Sequence, residues 1–216
     1  MKKLLTIAII VLAVSCLAQA TNVTTIVKYD FGTYNNETLA PSIQAAHITA
    51  SSFGYIGDGT AGFTSSGHPD SARQVDGGWP DDEYADYFSF TVTIESGWSL
   101  DLDVSSVAFD AKTTNISGPD SAKVTYLLGA SETTFNDGIE IGGSSWHSYD
   151  TYKLQPPTGL TGVVEFRIYG KDATASGQFD IDNVILNGTI NAIPEPTTIC
   201  ILGLGALSLV RRKKSA

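Results

Sequence analysis

Between residues 24 and 190 the apolar side chains recur at every second position in short runs, and no stretch keeps the three-to-four spacing of an amphipathic helix. Tyr87–Ile94 is the clearest run: Phe88, Phe90, Val92 and Ile94 alternate with Ser89, Thr91 and Thr93. That is the pattern of a strand with one face in a core and the other in water. Val107, Phe109 and Ala111 alternate with Ala108, Asp110 and Lys112, and Val164, Phe166 and Ile168 with Glu165, Arg167 and Tyr169. Val124, Tyr126 and Leu128 follow a turn at Gly118-Pro119-Asp120. Thr24–Phe31, Ala46–Phe53 and Trp146–Leu154 add further β-prone runs. The run Gln178–Ile190 begins with Phe179 and Ile181 inward and continues with Val184 and Leu186, so its phase changes near Asn183, as a β-bulge allows. Eight or so strands with Gly, Ser and Asp turns predict an all-β fold, a two-sheet antiparallel β-sandwich of jelly-roll type. Asn187–Ala192 reads as a short, exposed polar linker beyond the last strand.

The two ends of the chain follow other patterns. Residues 1–20 have the layout of a secretory signal: Lys2 and Lys3, the apolar run Leu4–Leu17, then Ala18-Gln19-Ala20, with Ala18 and Ala20 as the small residues that set cleavage after Ala20. Cys16, preceded by Leu12-Ala13-Val14-Ser15, leaves lipidation open as an alternative. At the other end, Pro194-Glu195-Pro196 is an extended break, because each proline fixes φ and removes a donor. Thr197–Val210 follows with no charge in fourteen residues, and Arg211, Arg212, Lys213 and Lys214 close it. A helix of that length spans roughly 21 Å, short of a ~30 Å hydrocarbon core. The four cations hold this end on the cytoplasmic side of a membrane, so the chain is expected to carry a signal helix before the sandwich and a short transmembrane helix after it. A buried C-terminal helix is the alternative, but the run lacks the amphipathic stripe such a helix would show.

This order of Pro-Glu-Pro (194–196), short apolar segment (197–210) and basic cluster (211–214) resembles the PEP-CTERM sorting signal of exported bacterial proteins. The resemblance implies recognition of the tail by exosortase, a membrane protease of bacteria that make exopolysaccharide. The implied route is transient anchoring in the inner membrane, then the cell surface or extracellular matrix, with the export machinery and signal peptidase as earlier partners. Residues 21–190 form the ectodomain and 191–216 the sorting tail. The phrases Asp86–Val92 and Phe179–Gly188 are similar to ectodomains found ahead of such tails, which look like galactose-binding or carbohydrate-binding-module jelly rolls. That second resemblance implies a fold and no particular residue role.

Charge changes the picture once the ends are set aside. Six of the 13 Lys and Arg but one of the 23 Asp and Glu lie in the terminal segments, leaving seven cations, 22 anions and a formal charge of −15 on the ectodomain. Nucleic acid is thereby excluded as a partner, since its phosphates demand a basic footprint. Both cysteines, Cys16 and Cys200, lie in the ends. The ectodomain has no disulfide, so its stability must come from an ordinary core.

Candidate chemistry is sparse. His47, His68 and His147 show no metal-ligand spacing, and no nucleophile elbow is present. Asp81-Asp82-Glu83 reads as a solvated loop, and carboxylate pairs suited to a glycosidase arise by chance among 22 acids. Calcium has more to favour it, because it takes carboxylate and loop carbonyl oxygens. Asp180 and Asp182 share one face of the last strand and are the expected ligands of a structural calcium, against a bland reading as surface acids. Asp101 and Asp103 share a face likewise, and the stretch Gly54–Tyr84, read as a loop, adds Asp58, Asp70, Asp76, Asp81 and Asp82. Among the tryptophans, Trp79 in Gly77-Gly78-Trp79-Pro80 is the expected exposed sugar platform, whereas Trp98 and Trp146 begin strands and suit packing. The function expected is that of an exported, non-catalytic surface or matrix protein associated with exopolysaccharide. The alternatives are a strict carbohydrate-binding module and a glycan-active hydrolase.

Overall fold

The computed structural model describes residues 20–21, 25–33, 35–64, 71–77, 79, 85–113, 118–141, 143–152, 155–171 and 177–194. The signal peptide before Ala20, His68, the acids at 70 and 81–83, the tail from Glu195 through Pro196 to Arg211–Lys214, and the two terminal helices all lie outside them. The described strands, in chain order, are β1 (Ala20–Thr21), β2 (Thr25–Tyr29), β3 (Gly32–Thr33), β4 (Asn36–Glu37), β5 (Ile43–Gln44), β6 (Ile48–Ala50), β7 (Gly54–Ile56) and β8 (Thr60–Thr64). They continue with β9 (Ala72–Asp76), β10 (Tyr87–Ile94), β11 (Trp98–Thr113), β12 (Ser121–Leu128), β13 (Ser131–Glu140), β14 (His147–Tyr152), β15 (Gly162–Lys171) and β16 (Gln178–Ala192).

They form two large antiparallel sheets, with β3 and β4 paired apart from both. The first has the order β14-β11-β16-β2-β5, and the second β13-β12-β15-β10-β6, with β7 also on β10. From β10 onward the chain passes between the sheets at almost every connection, as a jelly roll does. Strand β16 is the spine of the first sheet. Along one edge it pairs with β11, and along the other it meets β9, β2 and β1 in succession.

The period-2 runs fall where burial demands them. In β10, Phe88, Phe90, Val92 and Ile94 are at most 4% exposed, and they meet Val164, Phe166 and Ile168 of β15 in the same sheet. From the first sheet Val107, Phe109, Phe179, Ile181, Val184 and Leu186 face them across one continuous core. Tyr29 and Phe90 touch across the sheets at 5.2 Å, and the Tyr29 hydroxyl donates to the Ser51 carbonyl at 2.6 Å. The change of phase at Asn183 is a bulge. Ala108 pairs with Ile185 and Asp110 with Asp182, so Asn183 and Val184 together oppose Phe109. Asn183 adopts φ 47°, and its side-chain amide donates to Asp110 at 2.9 Å. An asparagine tolerates that left-handed backbone better than a branched residue does.

Two expectations are corrected, and one strand that the alternation did not reveal is added. Gly54–Tyr84 is not one loop, since β8 and β9 form a hairpin within it and β9 extends the first sheet along β16. Strand β13 has no alternating apolar run because it lies at the edge of the second sheet and turns mainly Phe135 inward. Finally, Asn187–Ala192 is the last part of β16 and no linker: Gly188 to Ala192 pair with Leu102 to Trp98, and the Ile193 N–H then donates to the Gly97 carbonyl at 2.7 Å.

Candidate functional site

The outward face of the second sheet collects the polar positions that alternate with the core. Across the strands the register aligns Tyr87, Tyr169 and Lys123 in one row, and Ser89, Arg167 and Thr125 in the next. Thr91, Glu165 and Leu127 form a third row, which Glu132 of β13 extends. Five strands at ~4.8 Å spacing make a surface about 19 Å wide.

Arg167 is the centre of this face. Its Nε and Nη2 donate to the two Glu165 oxygens at 2.7 and 3.1 Å, and Nη1 donates to the Tyr169 hydroxyl at 3.3 Å. Tyr169 in turn donates to Glu132 Oε1 at 2.9 Å, which also accepts from Thr125 Oγ1 at 2.7 Å. The guanidinium lies over the Tyr87 ring at 4.5 Å, and Lys123 Nζ over the Tyr169 ring at 4.5 Å. The two tyrosine rings are tilted, 4.9 Å apart. Five side chains from three strands are thus locked by hydrogen bonds, the Arg167–Glu165 fork among them, and Tyr87 and Lys123 join through their ring contacts.

The charges of this network are fixed. The hydrogen bonds that Arg167 donates to Glu165 hold it protonated, well above its ordinary range, although burial works the other way. Burial raises the Tyr169 phenol, so it remains a donor. Burial would also raise Glu132, but the bonds from Thr125 and Tyr169 and the charges of Lys123 and Arg167 outweigh it and keep the carboxyl below its usual range. On a domain of charge −15, Lys123 and Arg167 balance Glu132 and Glu165, so this patch is locally neutral.

Trp79 is elsewhere, which corrects its expected role. It is 3% exposed and packs between Tyr55 at 5.5 Å, Phe88 at 5.6 Å and Phe179 at 5.2 Å. No ring face is left for a sugar, because a flat apolar ring between two sheets gains more from the core than from water. Trp98 stacks on His47, with centroids 3.6 Å apart and planes within 9°, and His47 Nδ1 lies 2.9 Å from Glu95. Lys112 Nζ sits 5.0 Å over the Trp146 ring.

Asp180 and Asp182 do share the outward face of the first sheet, opposite Lys112 and Asp110, but both are buried, at 1% and 0% exposure. Asp180 faces the Lys112 ammonium at 3.5 Å. Asp182 accepts the Asn183 N–H at 2.6 Å, and Asp110 takes Ser148 and Asn183 on its two oxygens. A calcium ion on Asp180 would stand against that ammonium, and among the described residues no three His, Cys, Asp or Glu side chains converge on a metal-sized site. The pair fits an internal salt bridge better than a calcium ligand set. Asp101 is occupied as well, accepting the Gly159 N–H at 2.6 Å and the Asn191 amide at 2.8 Å.

Sequence reasoning passed over Tyr87, Arg167, Glu165, Tyr169 and Glu132. The available signal was the outward half of each alternation, where long polar and aromatic side chains stand in place of Ser and Thr. What it could not show was that strands between 37 and 82 residues apart bring them together.

Among curated proteins none matches this chain. Solved structures similar to it include a CBM4 module, with TM-score 0.43 at 14% identity over 63% of this chain and 86% of that one. The CBM22-1 xylan-binding domain of Paenibacillus barcinonensis Xyn10C has TM-score 0.41 at 14% identity, over 80% and 97%. A family 11 carbohydrate-binding module from Clostridium thermocellum has 0.37 at 15% identity, over 80% and 100%. The family model described as the PEP-CTERM protein-sorting motif matches residues 192–214. It begins at the last residue of β16, so the chain ends in a PEP-CTERM sorting motif joined directly to its sandwich.

Proposed function

We propose that this chain is an exported glycan-binding protein, which takes a polysaccharide on the outward face of its second sheet and is delivered to the cell surface or matrix through its sorting tail. The observation that supports this reading best is the Arg167 network. A carbohydrate is recognised by hydroxyls that need donors and acceptors held in place, and by flat C–H faces that need an aromatic neighbour. Arg167, Glu165 and Glu132 supply the first and Tyr87 the second, on rigid strands with little entropy left to lose. The same arrangement favours binding over hydrolysis. Glu165 has both oxygens engaged by the Arg167 fork, and Glu132 is held below the usual carboxylate range, away from the raised acid that glycosidic cleavage requires. Exopolysaccharide of the producing cell is the proposed target, with exosortase processing the tail.

Affinity electrophoresis of the ectodomain in gels containing neutral and acidic polysaccharides tests this. The parent should be retarded by at least one polysaccharide. Arg167→Ala, with an unchanged circular dichroism spectrum, should bind roughly 10–100-fold more weakly, the effect of losing a partly buried, multiply bonded anchor. A parent retarded by nothing, or a folded Arg167→Ala that binds as well as the parent, would refute the assignment.

A further inference from the structure

The end of the sandwich from which the tail leaves has a character of its own. Here β10 turns into β11 at Glu95–Gly97, β12 turns into β13, β15 begins at Gly162, and β16 ends at Ala192. Ala20 and Thr21 pair with Asn191 and Ile190, so β1 lies at this same end.

The surface there is apolar and poor in charge. Leu128 is 43% exposed, Val163 55% and Ile193 43%, and Trp98 stands beside them on the first rung of β11. Thr93 pairs with Val163 and Leu128 with Val164, which places these residues around one rim. The turns at 96–97, 129–131 and 161–162 carry no charge, and the Glu95 carboxylate is hydrogen-bonded to His47 Nδ1 at 2.9 Å.

Chain length fixes how near a membrane it must come. The sheet holds the chain through Ile193, and the apolar segment starts at Thr197. Four extended steps reach at most about 14 Å, about twice the roughly 5–7 Å of a headgroup layer, so the end of the sandwich stays within about 10 Å of that layer. Residues 187–192 add no length to this reach, because they belong to β16.

We propose that this end, with Trp98, Leu128, Val163 and Ile193 at its rim, is a membrane-resting face that seats on lipid headgroups while the chain is anchored. The proposal rests on the reading of 197–210 as a membrane segment. It sets the strands upright on the membrane and turns the candidate glycan face sideways, clear of the lipid. Exposed apolar side chains beside an anchor gain by entering the interface, and paired or absent charge lowers the desolvation that opposes it.

The test uses the full chain with Cys16→Ser and Cys200→Ser, reconstituted in phosphatidylcholine vesicles. Single cysteines at Leu128, Val163 and, as a control, Ile56 carry an environment-sensitive dye. Ile56 is 55% exposed and pairs with Tyr87 at the opposite end of β10, about 23 Å away along the strand. Labels at 128 and 163 should shift to the blue and be quenched several-fold more strongly by headgroup-spin-labelled lipid than the label at 56. Equal quenching at all three sites in protein that floats with the vesicles would overturn the membrane-resting face alone. Failure to float would overturn the anchor reading on which it depends.

Discussion

Asp180 lies on the outward face of a sheet, yet it is 1% exposed and has one cation, Lys112, beside it. Burial pushes its carboxyl up to about 6 from an ordinary 3.8, with Lys112 pulling the other way and Asp76 adding to the rise. A carboxyl that holds its proton more tightly in the folded state makes the fold most stable when protonated. Stability from this group is therefore full below about 4 and falls as pH rises to about 6, by at most about 3 kcal/mol. Glu132 acts in the opposite sense: its depressed carboxyl supports the fold once ionised, and that support is lost as pH falls. The two are separated by comparing urea-unfolding free energies of the parent and Asp180→Asn between pH 4 and 7. The parent should lose stability relative to the variant across pH 4–6, and parallel curves would disprove the assignment.

At the scale of the element, β16 decides most. Its alternation, its break in phase at Asn183 and its apolar content were legible in the chain, because each reports on one strand alone. The extent of the strand was not. Asn187–Ala192 is rich in turn-forming residues and looks like a linker, but Leu100 and Leu102 of β11 supply the partners that keep it extended. Asn187 donates its side-chain amide to the Ser105 carbonyl at 3.1 Å, and Asn191 donates to Asp101 at 2.8 Å, so the apparent linker polarity is consumed within the sheet. Truncation separates the two readings. A chain ending at Ile193 should unfold in one cooperative step, whereas a chain ending at Leu186 loses the rungs from Leu102 to Trp98 and should be unfolded or insoluble. Equal unfolding midpoints would restore the linker.

For the molecule as a whole, a cysteine-free ectodomain with a charge of −15 must hold two sheets together by packing alone. Trp79 is one of the ties, touching Tyr55 and Phe88 of the second sheet and Phe179 of the first. Trp79→Ala should cost about 3–5 kcal/mol in urea unfolding, the usual range for truncating a buried aromatic ring. Glycan affinity of the folded variant should stay within about twofold of the parent, since a loss of under half a kcal/mol is expected away from the binding face. A parent-like midpoint combined with lost binding would return Trp79 to the surface.

Some properties of this protein are written into its local order. Alternation of apolar and polar residues depends only on strand geometry, so the all-β class and the bulge at Asn183 follow from it. The tail is equally local, a proline break, an apolar run and a basic cluster in fixed succession. Other properties came from contacts between residues distant in the chain. Trp79 sits in a glycine-rich stretch that suggests exposure, and only the approach of Phe88 and Phe179 buries it. Asp180 looks like a surface acid until Lys112 arrives from β11. The candidate binding face needs Tyr87, Thr125, Glu132 and Arg167 from four separate strands, and Ala20–Thr21 lies beside Ile190 and Asn191 only because β1 pairs with the end of β16. Strand pairing over such separations is set by the burial of the whole core, a sum over both sheets that no single segment carries.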